Sequence, residues 1–309
     1  MNDSRLLDEM VGRAARKLES EGGVASLSKS FVDRFVSLTS ELLDDDLNAR
    51  VQRVFNETDA ESLDPFGVEI DTVRWSLALI AYFYRFYFRA EVSGIEELPS
   101  GRMLLVANHS GLLPIDAFAI SAALALDANP PRFARNTVDK LVAKMPFITM
   151  WYSRLGQILG TPENGRRLLE RENALVSFPE GMAAVLKPFS TRYQLQPFGS
   201  GFMRLALQTN TPIVPVAVIG AEEQYISISD LAPLARLVGL PALPVVPQIF
   251  LGFPFPLPTK YRLYFGKPMT FSGNPNDDNE VIEAKVREVR SAIQSMLNRG
   301  LRERKAIFW

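Results

Sequence analysis

The sequence predicts an α/β protein with a largely parallel central sheet flanked by helices and preceded by an N-terminal helical segment. From Glu91 onward, short apolar runs typical of buried strands alternate with helical patterns. Before position 70, apolar residues recur at helical spacing and no such runs occur. We therefore assign residues 1–89 to the N-terminal helical segment, with a candidate membrane-interface helix at its end, and residues 90–309 to the larger domain.

The individual elements follow from local patterns. Helical periodicity begins near residues 6–11 and again near 31–36, and Gly22-Gly23 separates the two segments. Four apolar runs, at 103–107, 174–178, 212–218 and 261–265, predict buried strands. A helical pattern covers 117–126, and an amphipathic one covers 280–301.

Composition excludes several classes of function. The 309 residues are 47% hydrophobic and carry a formal net charge of −1, so the chain lacks the overall positive field that holds a nucleic acid. Cysteine is absent, which removes thiol nucleophiles, disulfides and cysteine-based metal sites. Histidine occurs once, at His109, so any mechanism that requires an imidazole requires that residue.

Polar clusters follow three of the predicted strands at the points where the strands end. Asn108 and His109 follow the first strand, Pro179-Glu180-Gly181 the second, and Glu222-Glu223 the third. Ligands of open α/β sheets bind outside the carboxyl ends of the strands. We therefore expect these clusters to meet at one edge of the sheet and to form a site.

His109 is the candidate general base, because an imidazole titrates near neutral pH. Asp116 follows across a turn that contains Gly111 and Pro114, and it is the candidate acceptor for the second ring nitrogen. Such a pair suits direct deprotonation of a substrate hydroxyl. On the pair alone, a structural alternative has equal weight, with His109 hydrogen-bonded at a strand end and Asp116 capping the helix that begins at Ala117.

Four sequence blocks carry a family resemblance. They are Val-Ala-Asn-His-Ser-Gly at 106–111 with Pro114 and Asp116, the segment 156–169, Phe-Pro-Glu-Gly at 178–181, and Ile-Val-Pro-Val at 213–216. In order and separation they resemble the motifs of the glycerolipid acyltransferase superfamily, across roughly residues 90–270. The resemblance implies that His109 deprotonates the acceptor hydroxyl, which attacks an acyl thioester, and that Asp116 holds the histidine. It further implies a substrate-binding role for Asn108, Ser110, Glu180 and Gly181.

Two departures from the family pattern bear on the acceptor. The commonest spacing, His-x4-Asp, would place the carboxylate where Pro114 stands, and the longer spacing to Asp116 resembles the monoacylglycerol-type branch. In phosphatidate-making members the second block ends in an arginine that binds the acceptor phosphate. Here 160–165 contain no arginine, and Arg166 and Arg167 come only afterwards. We therefore expect neutral or large-headed acceptors to be used at least as well as lysophosphatidate.

Lys187 and Arg192 follow the Pro-Glu-Gly block and are candidates for contact with a phosphate of the acceptor or of coenzyme A. The alternative is that both are solvated side chains. Glu222-Glu223 is not expected to bind a metal, since no carboxylate or histidine cluster accompanies it.

We expect peripheral membrane contact on the cytoplasmic face, where the chain would meet its lipid acceptor. No run of about 18 uncharged apolar residues predicts a spanning helix, and the start of the chain lacks the apolar core of a signal peptide. The aromatic segment 75–87, with arginines around it, and the proline-rich segment 237–257 are candidate interface elements, and burial against the sheet is the alternative for each.

The resemblance, together with the candidate pair His109 and Asp116, implies an O-acyltransferase that moves a fatty acyl group from an acyl-coenzyme A or acyl-carrier-protein thioester to a glycerolipid or lysophospholipid hydroxyl. The thioester is a co-substrate, and no cofactor, metal or nucleic acid is expected. A lipid ester hydrolase is one alternative, although the chain has no Gly-x-Ser-x-Gly elbow. A non-catalytic lipid-binding protein of the same fold is the other.

Overall fold

The computed structural model describes residues 66–110, 113–139, 146–185, 187–227, 229–230, 244–250 and 255–309, together with Ala49 and Arg53. The helices predicted near 6–11 and 31–36 lie outside these residues. So do Gly111, Lys140 and most of the proline-rich segment 237–257.

A seven-stranded sheet forms the centre of the fold. Its strand order is β1-β7-β6-β2-β5-β3-β4, and every adjacent pair is parallel except β6 with β7. The strands are β1 (Glu91–Ser93), β2 (Met103–Ala107), β3 (Ala134–Val138), β4 (Ile158–Leu159), β5 (Ala174–Ser177), β6 (Ile213–Ile219) and β7 (Arg262–Phe265). A separate two-stranded ladder pairs Ser229–Asp230 with Pro244–Val245. The predicted α/β class with a largely parallel sheet is confirmed.

Helices cover both faces of this sheet. They are α1 (Ile70–Tyr82), α2 (Ile115–Leu126), α3 (Pro146–Arg154), α4 (Pro162–Leu169), α5 (Met182–Val185), α6 (Gly201–Thr209), α7 (Pro247–Phe250) and α8 (Asn279–Glu303). A π-helical turn, Phe83–Tyr87, continues α1, and short 3₁₀ turns occupy Ile95–Glu97, Phe189–Thr191 and Ala221–Glu223.

Burial on both faces explains why the central strands are apolar without alternation. All five residues of β2 are inaccessible to solvent. Met103 and Leu105 pack into the core under α1 and α2, whereas Leu104 and Val106 pack into the core under α4, α6 and α8. Because β2 pairs in parallel with both β5 and β6, all three strands end at one edge of the sheet.

The aromatic segment mainly packs against the core. Tyr84 is buried and its hydroxyl donates to Asp127 at 2.6 Å. The ring of Phe88, 4% exposed, lies 4.6 Å from that of Tyr261. Phe86, by contrast, is 52% exposed. In the described part of the chain no helix has the length and apolar character needed to cross a membrane.

Candidate active site

The carboxyl edge of the sheet brings the three predicted polar clusters together. The loop after β2 carries His109, the turn after β5 carries Glu180, and the 3₁₀ turn after β6 carries Glu222. Glu180 contacts the backbone of His109 directly, since its Oε1 accepts from the His109 amide at 3.0 Å. The expected convergence of these loops therefore occurs.

Asp116 is the partner of the histidine ring. Its Oδ2 lies 2.8 Å from Nδ1 of His109 and also accepts from the Ser110 amide at 2.9 Å. Oδ1 accepts from the Ala117 amide at 2.8 Å, and the carboxyl group is inaccessible to solvent. Asp116 thus lies in the first turn of α2 and at the same time fixes the loop that carries His109.

These contacts define the tautomer of His109. An ionised carboxylate only accepts hydrogen bonds, so Nδ1 carries the proton and Nε2 of the neutral ring has a free lone pair. No described residue bonds to Nε2. The Phe178 ring lies 4.4 Å from the imidazole at an interplanar angle of 34° and limits its rotation. The imidazole is therefore held with Nε2 available as a proton acceptor.

Electrostatics place the pKa of His109 above its ordinary value. Burial of the ring lowers the pKa, but the negative charge and hydrogen bond of Asp116, together with the charges of Glu180 and Glu222, outweigh burial. The same interactions stabilise an imidazolium that forms when the ring takes up a proton.

Glu180 and Lys187 belong to a buried cluster behind the histidine. The second oxygen of Glu180, Oε2, accepts from the Gln196 amide at 2.7 Å. Lys187 Nζ lies 2.9 Å from Oε2 of Glu222 and 4.0 Å from Oε2 of Glu180. Burial raises the pKa of Glu180 and raises that of Glu222 to about 7, although Lys187 opposes both shifts.

Asn108 and Ser110, which the resemblance assigned to substrate binding, are buried in the loop. The Asn108 side chain donates to the Val218 carbonyl at 3.0 Å and accepts from the Val218 amide at 2.7 Å. It thereby extends the pairing of β2 with β6 beyond the end of β2. Ser110 is 2% exposed and contributes its backbone amide to Asp116.

The remaining predicted cations lie apart from His109. The guanidinium of Arg192 lies over the Phe189 ring at 4.3 Å, and its Nε is 3.6 Å from Glu223. Glu223 also receives two hydrogen bonds from Arg304. Arg166 and Arg167 form ion pairs with Glu163, and Arg166 also pairs with Glu170, on the outer face of α4.

A cavity of about 450 Å³ adjoins the histidine. Leu104, Leu175 and Phe202 place it on the sheet face covered by α4, α6 and α8. None of the described residues that line this His109 cavity is lysine or arginine. The polar side chains on its wall come from the ends of β3 and β5 and from the start of α4: Thr137, Asp139, Ser177 and Thr161.

Gly181 also lines the His109 cavity. It adopts φ +55°, a left-handed conformation that side chains rarely take, although a Cβ there would meet no atom within 4 Å. A glycine at this position therefore lets the turn after Glu180 pass beside the cavity without strain.

A second cavity of about 310 Å³ lies on the other face of the sheet. Its wall is almost entirely apolar, with Trp75 and Phe83 from the α1 region, Phe118 from α2, Trp151 from α3 and Phe255. Leu113 and Ile115 line this aromatic cavity as well, so the segment between His109 and Asp116 reaches it.

Thr137 and Asp139 were not predicted as site residues. Thr137 lies on β3 and Asp139 directly follows it, and β3 contains Arg135 and Asn136 and so lacks the continuous apolar pattern of a buried strand. β3 is recognised as a strand only from its parallel pairing with β5 in the structure. Within the described residues no group of three or more His, Asp or Glu side chains could hold a metal ion.

The fold defines the molecule as an α/β protein whose largely parallel sheet carries a His–Asp pair beside a cavity at its carboxyl edge. The acyltransferase family model matches residues 89–219. An uncharacterised Mycobacterium tuberculosis protein is 38% identical over 239 residues, which are 75% of this chain and 67% of that protein. The chain belongs to the glycerolipid acyltransferase family and is an acyltransferase, as the four sequence blocks predicted.

Two further relatives carry named activities. The DGAT1/2-independent enzyme synthesizing storage lipids of Mus musculus is 24% identical over 212 residues, covering 69% of this chain and 60% of that enzyme. The 1-acyl-sn-glycerol-3-phosphate acyltransferase of Limnanthes alba is 31% identical over 148 residues, covering 42% of this chain and 45% of that enzyme.

Proposed function

We propose that the enzyme transfers a fatty acyl group from an acyl-coenzyme A or acyl-carrier-protein thioester to the hydroxyl of a glycerolipid, with His109 as the general base. One observation supports this most directly. The Nδ1–Asp116 hydrogen bond leaves Nε2 as the only proton acceptor of a ring that lines a cavity large enough for a ligand head group.

In the proposed reaction, Nε2 takes the proton of the acceptor hydroxyl while that oxygen attacks the thioester carbonyl carbon. A tetrahedral intermediate forms and collapses with cleavage of the carbon–sulfur bond. The imidazolium then returns its proton to the departing thiolate, so the products are an ester and a free thiol. Asp116 remains ionised throughout and stabilises the imidazolium.

The acceptor that suits the His109 cavity best is neutral. Its described wall offers the hydroxyls of Thr137, Thr161 and Ser177, which can bind hydroxyl groups. None of the described residues in this wall is a lysine or arginine that could pair with a phosphate.

The acyl chain suits the aromatic cavity. Residues of the segment from His109 to Asp116 line both cavities, so a thioester carbonyl beside His109 has an apolar volume within reach on the opposite face of the sheet. Burial of an acyl chain there removes about 0.8 kcal/mol of unfavourable hydration for each methylene group.

Replacement of the base tests the mechanism. We expect His109→Ala to reduce kcat by about 10²–10⁴-fold in a thiol-release assay with purified protein, since general-base catalysis has that magnitude. Circular dichroism and a thermal melt confirm that the variant is folded. A folded variant with more than about half the wild-type rate contradicts the role of His109.

Competition between acceptors tests the preference. With one labelled acyl thioester and equal concentrations of monoacylglycerol and lysophosphatidate, we expect the neutral acceptor to be used at least as well. A strong preference for lysophosphatidate contradicts the neutral-acceptor proposal but leaves the role of His109 intact.

We further propose that the enzyme contacts the membrane peripherally, on its cytoplasmic face, through exposed apolar side chains near the aromatic cavity. Phe86, Leu113 and Phe255 are 52, 46 and 62% exposed, and the last two line that cavity. In flotation with anionic vesicles we expect the double variant Phe86→Ser/Phe255→Ser to remain folded and to bind less. Unchanged flotation of the folded variant refutes this surface as the contact.

A further inference from the structure

We propose that Lys187 is a positioning residue that holds His109 through the carboxylate of Glu180, and that it does not bind substrate. This inference rests on the proposed function, because it concerns the placement of the same base. It follows from the burial of Lys187, its partners and the balance of charge around it.

The ammonium group of Lys187 is removed from solvent. Its side chain is 3% exposed and does not line the His109 cavity. Nζ lies 2.9 Å from Oε2 of Glu222 and donates to the Gln194 carbonyl at 3.2 Å. An ammonium with these partners is not available to a phosphate that arrives from the cavity.

Glu180 connects this ammonium to the base. The carboxylate is fully shielded from solvent, and each of its oxygens accepts a backbone amide, Oε1 that of His109 and Oε2 that of Gln196. Lys187 Nζ stands 4.0 Å from Oε2. A displacement of Glu180 therefore moves the backbone at His109, which precedes the Ser110 amide bound to Asp116.

Charge balance explains why a cation is needed at this place. Glu180 and Glu222 are both buried, and two such carboxylates without a cation repel each other or share one proton. The groups that face Glu222 are Lys187, Glu180, His109 and the Tyr193 amide, which donates at 2.8 Å. Lys187 lowers the pKa of Glu180 against the effect of burial and so favours the ionised carboxylate, which is the stronger acceptor for the His109 amide.

A set of three variants tests this role: Lys187→Met, Glu222→Gln and the double variant. In Lys187→Met we expect kcat to fall about 10- to 100-fold at about pH 8, with KM for the acceptor nearly unchanged, because small displacements of a base cost rate rather than affinity. The loss should be smaller near pH 6, where a proton on either carboxylate relieves the repulsion.

The double variant Lys187→Met/Glu222→Gln provides the decisive rescue. It lacks the cation but also lacks the second carboxylate, so Glu180 keeps its two amide donors without a repelling neighbour. Relative to Glu222→Gln alone, in which the charge of Glu222 near His109 is also gone, we expect the double variant to lose no more than about three-fold in kcat, against the loss of about 10- to 100-fold that Lys187→Met shows relative to wild type. Arg304→Met is the matched control. It breaks the neighbouring, partly buried ion pair with Glu223, and we expect lower thermal stability without the pH-dependent loss of kcat.

Several results overturn the proposal. A raised acceptor KM in Lys187→Met that the double variant does not restore means that Lys187 binds substrate. An equal loss of kcat at every pH, also without rescue, means a purely structural role. If Lys187→Met does not fold, the double variant decides: kcat and KM close to those of Glu222→Gln support positioning, and a KM raised above that of Glu222→Gln refutes it. An active His109→Ala would instead refute the proposed function, whatever these variants show.

Discussion

Replacement of Glu222 by glutamine should change how the stability of the enzyme depends on pH. The Glu222 carboxyl is 4% exposed, and its Oε1 is buried without a hydrogen-bond partner among the described residues. Burial raises its pKa from 4.5 to about 7, despite the ammonium of Lys187 at 2.9 Å. The folded protein therefore holds this proton more tightly than the unfolded chain does.

The sign and size of the effect follow from linkage. A carboxyl with a raised pKa binds more protons in the folded state, so the contribution of Glu222 to the free energy of unfolding is fully present below about pH 4.5 and is lost as the pH rises through about 7. At about 1.4 kcal/mol for each tenfold change in proton affinity, the move from 4.5 to about 7 corresponds to about 3 kcal/mol.

Urea denaturation at a series of pH values measures this contribution. Wild type should lose about 3 kcal/mol more than Glu222→Gln between about pH 4 and pH 8, because the variant has no carboxyl to ionise at that position. Glu180 and His109, whose pKa values are also raised, remain in both proteins and largely cancel in the comparison. If the free energies of unfolding of wild type and Glu222→Gln change in parallel with pH, the Glu222 carboxyl does not have a raised pKa. If wild type gains stability over the variant as the pH rises, the charge of Lys187 outweighs the effect of burial on the pKa of Glu222.

Three further predictions concern the base and the core. Asp116→Asn should reduce kcat by about 10²–10⁴-fold in the thiol-release assay, because the imidazolium loses its charged partner; wild-type activity would show that another group orients His109. In wild type, kcat/KM should rise with pH through a pKa above 6.5, since only the neutral ring of His109 accepts a proton, and in Asp116→Asn this limb should move to lower pH. If the rise of kcat/KM keeps the same pKa in Asp116→Asn, the group that titrates is not His109. Phe88→Ser should destabilise by at least about 3 kcal/mol, because its ring is buried against Tyr261, whereas exposed Phe86→Ser should change unfolding by no more than about 0.5 kcal/mol. Equal melting temperatures for these two variants would contradict the packing of this segment.

The strands that sequence patterns predicted are those buried on both faces. The runs that became β2, β5, β6 and β7 are predominantly apolar, with Arg262 the one charged residue in these strands, because helices cover them on each side. β3 escaped detection because Arg135 and Asn136 interrupt its pattern, although both side chains are buried. Asn136 donates to the Ser121 hydroxyl on α2, a contact that no local pattern reveals.

For the site, the sequence was sufficient where partners are close along the chain and insufficient where they are distant. His109 and Asp116 are separated by seven positions, so a turn suffices to join them. From the sequence, Lys187 is interpreted either as a solvated cation or as a phosphate ligand. Only the fold shows that Glu222, which follows β6, lies beside it. Its burial depends on the packing of three separate segments, which residue spacing does not encode.

The two hydrogen bonds between Asn108 and Val218 bear on when the site forms during synthesis of the chain. They join residues 110 positions apart, and the Glu180 contact with the His109 amide spans 71. Chain synthesis runs from the N-terminus, so the histidine motif leaves the ribosome long before the strand that fastens it. A nascent chain arrested before residue 218 already contains His109 and Asp116, yet it lacks the Val218 backbone groups to which Asn108 in their loop is hydrogen-bonded. The loop that carries His109 therefore gains these two hydrogen bonds only once β6 has joined the sheet.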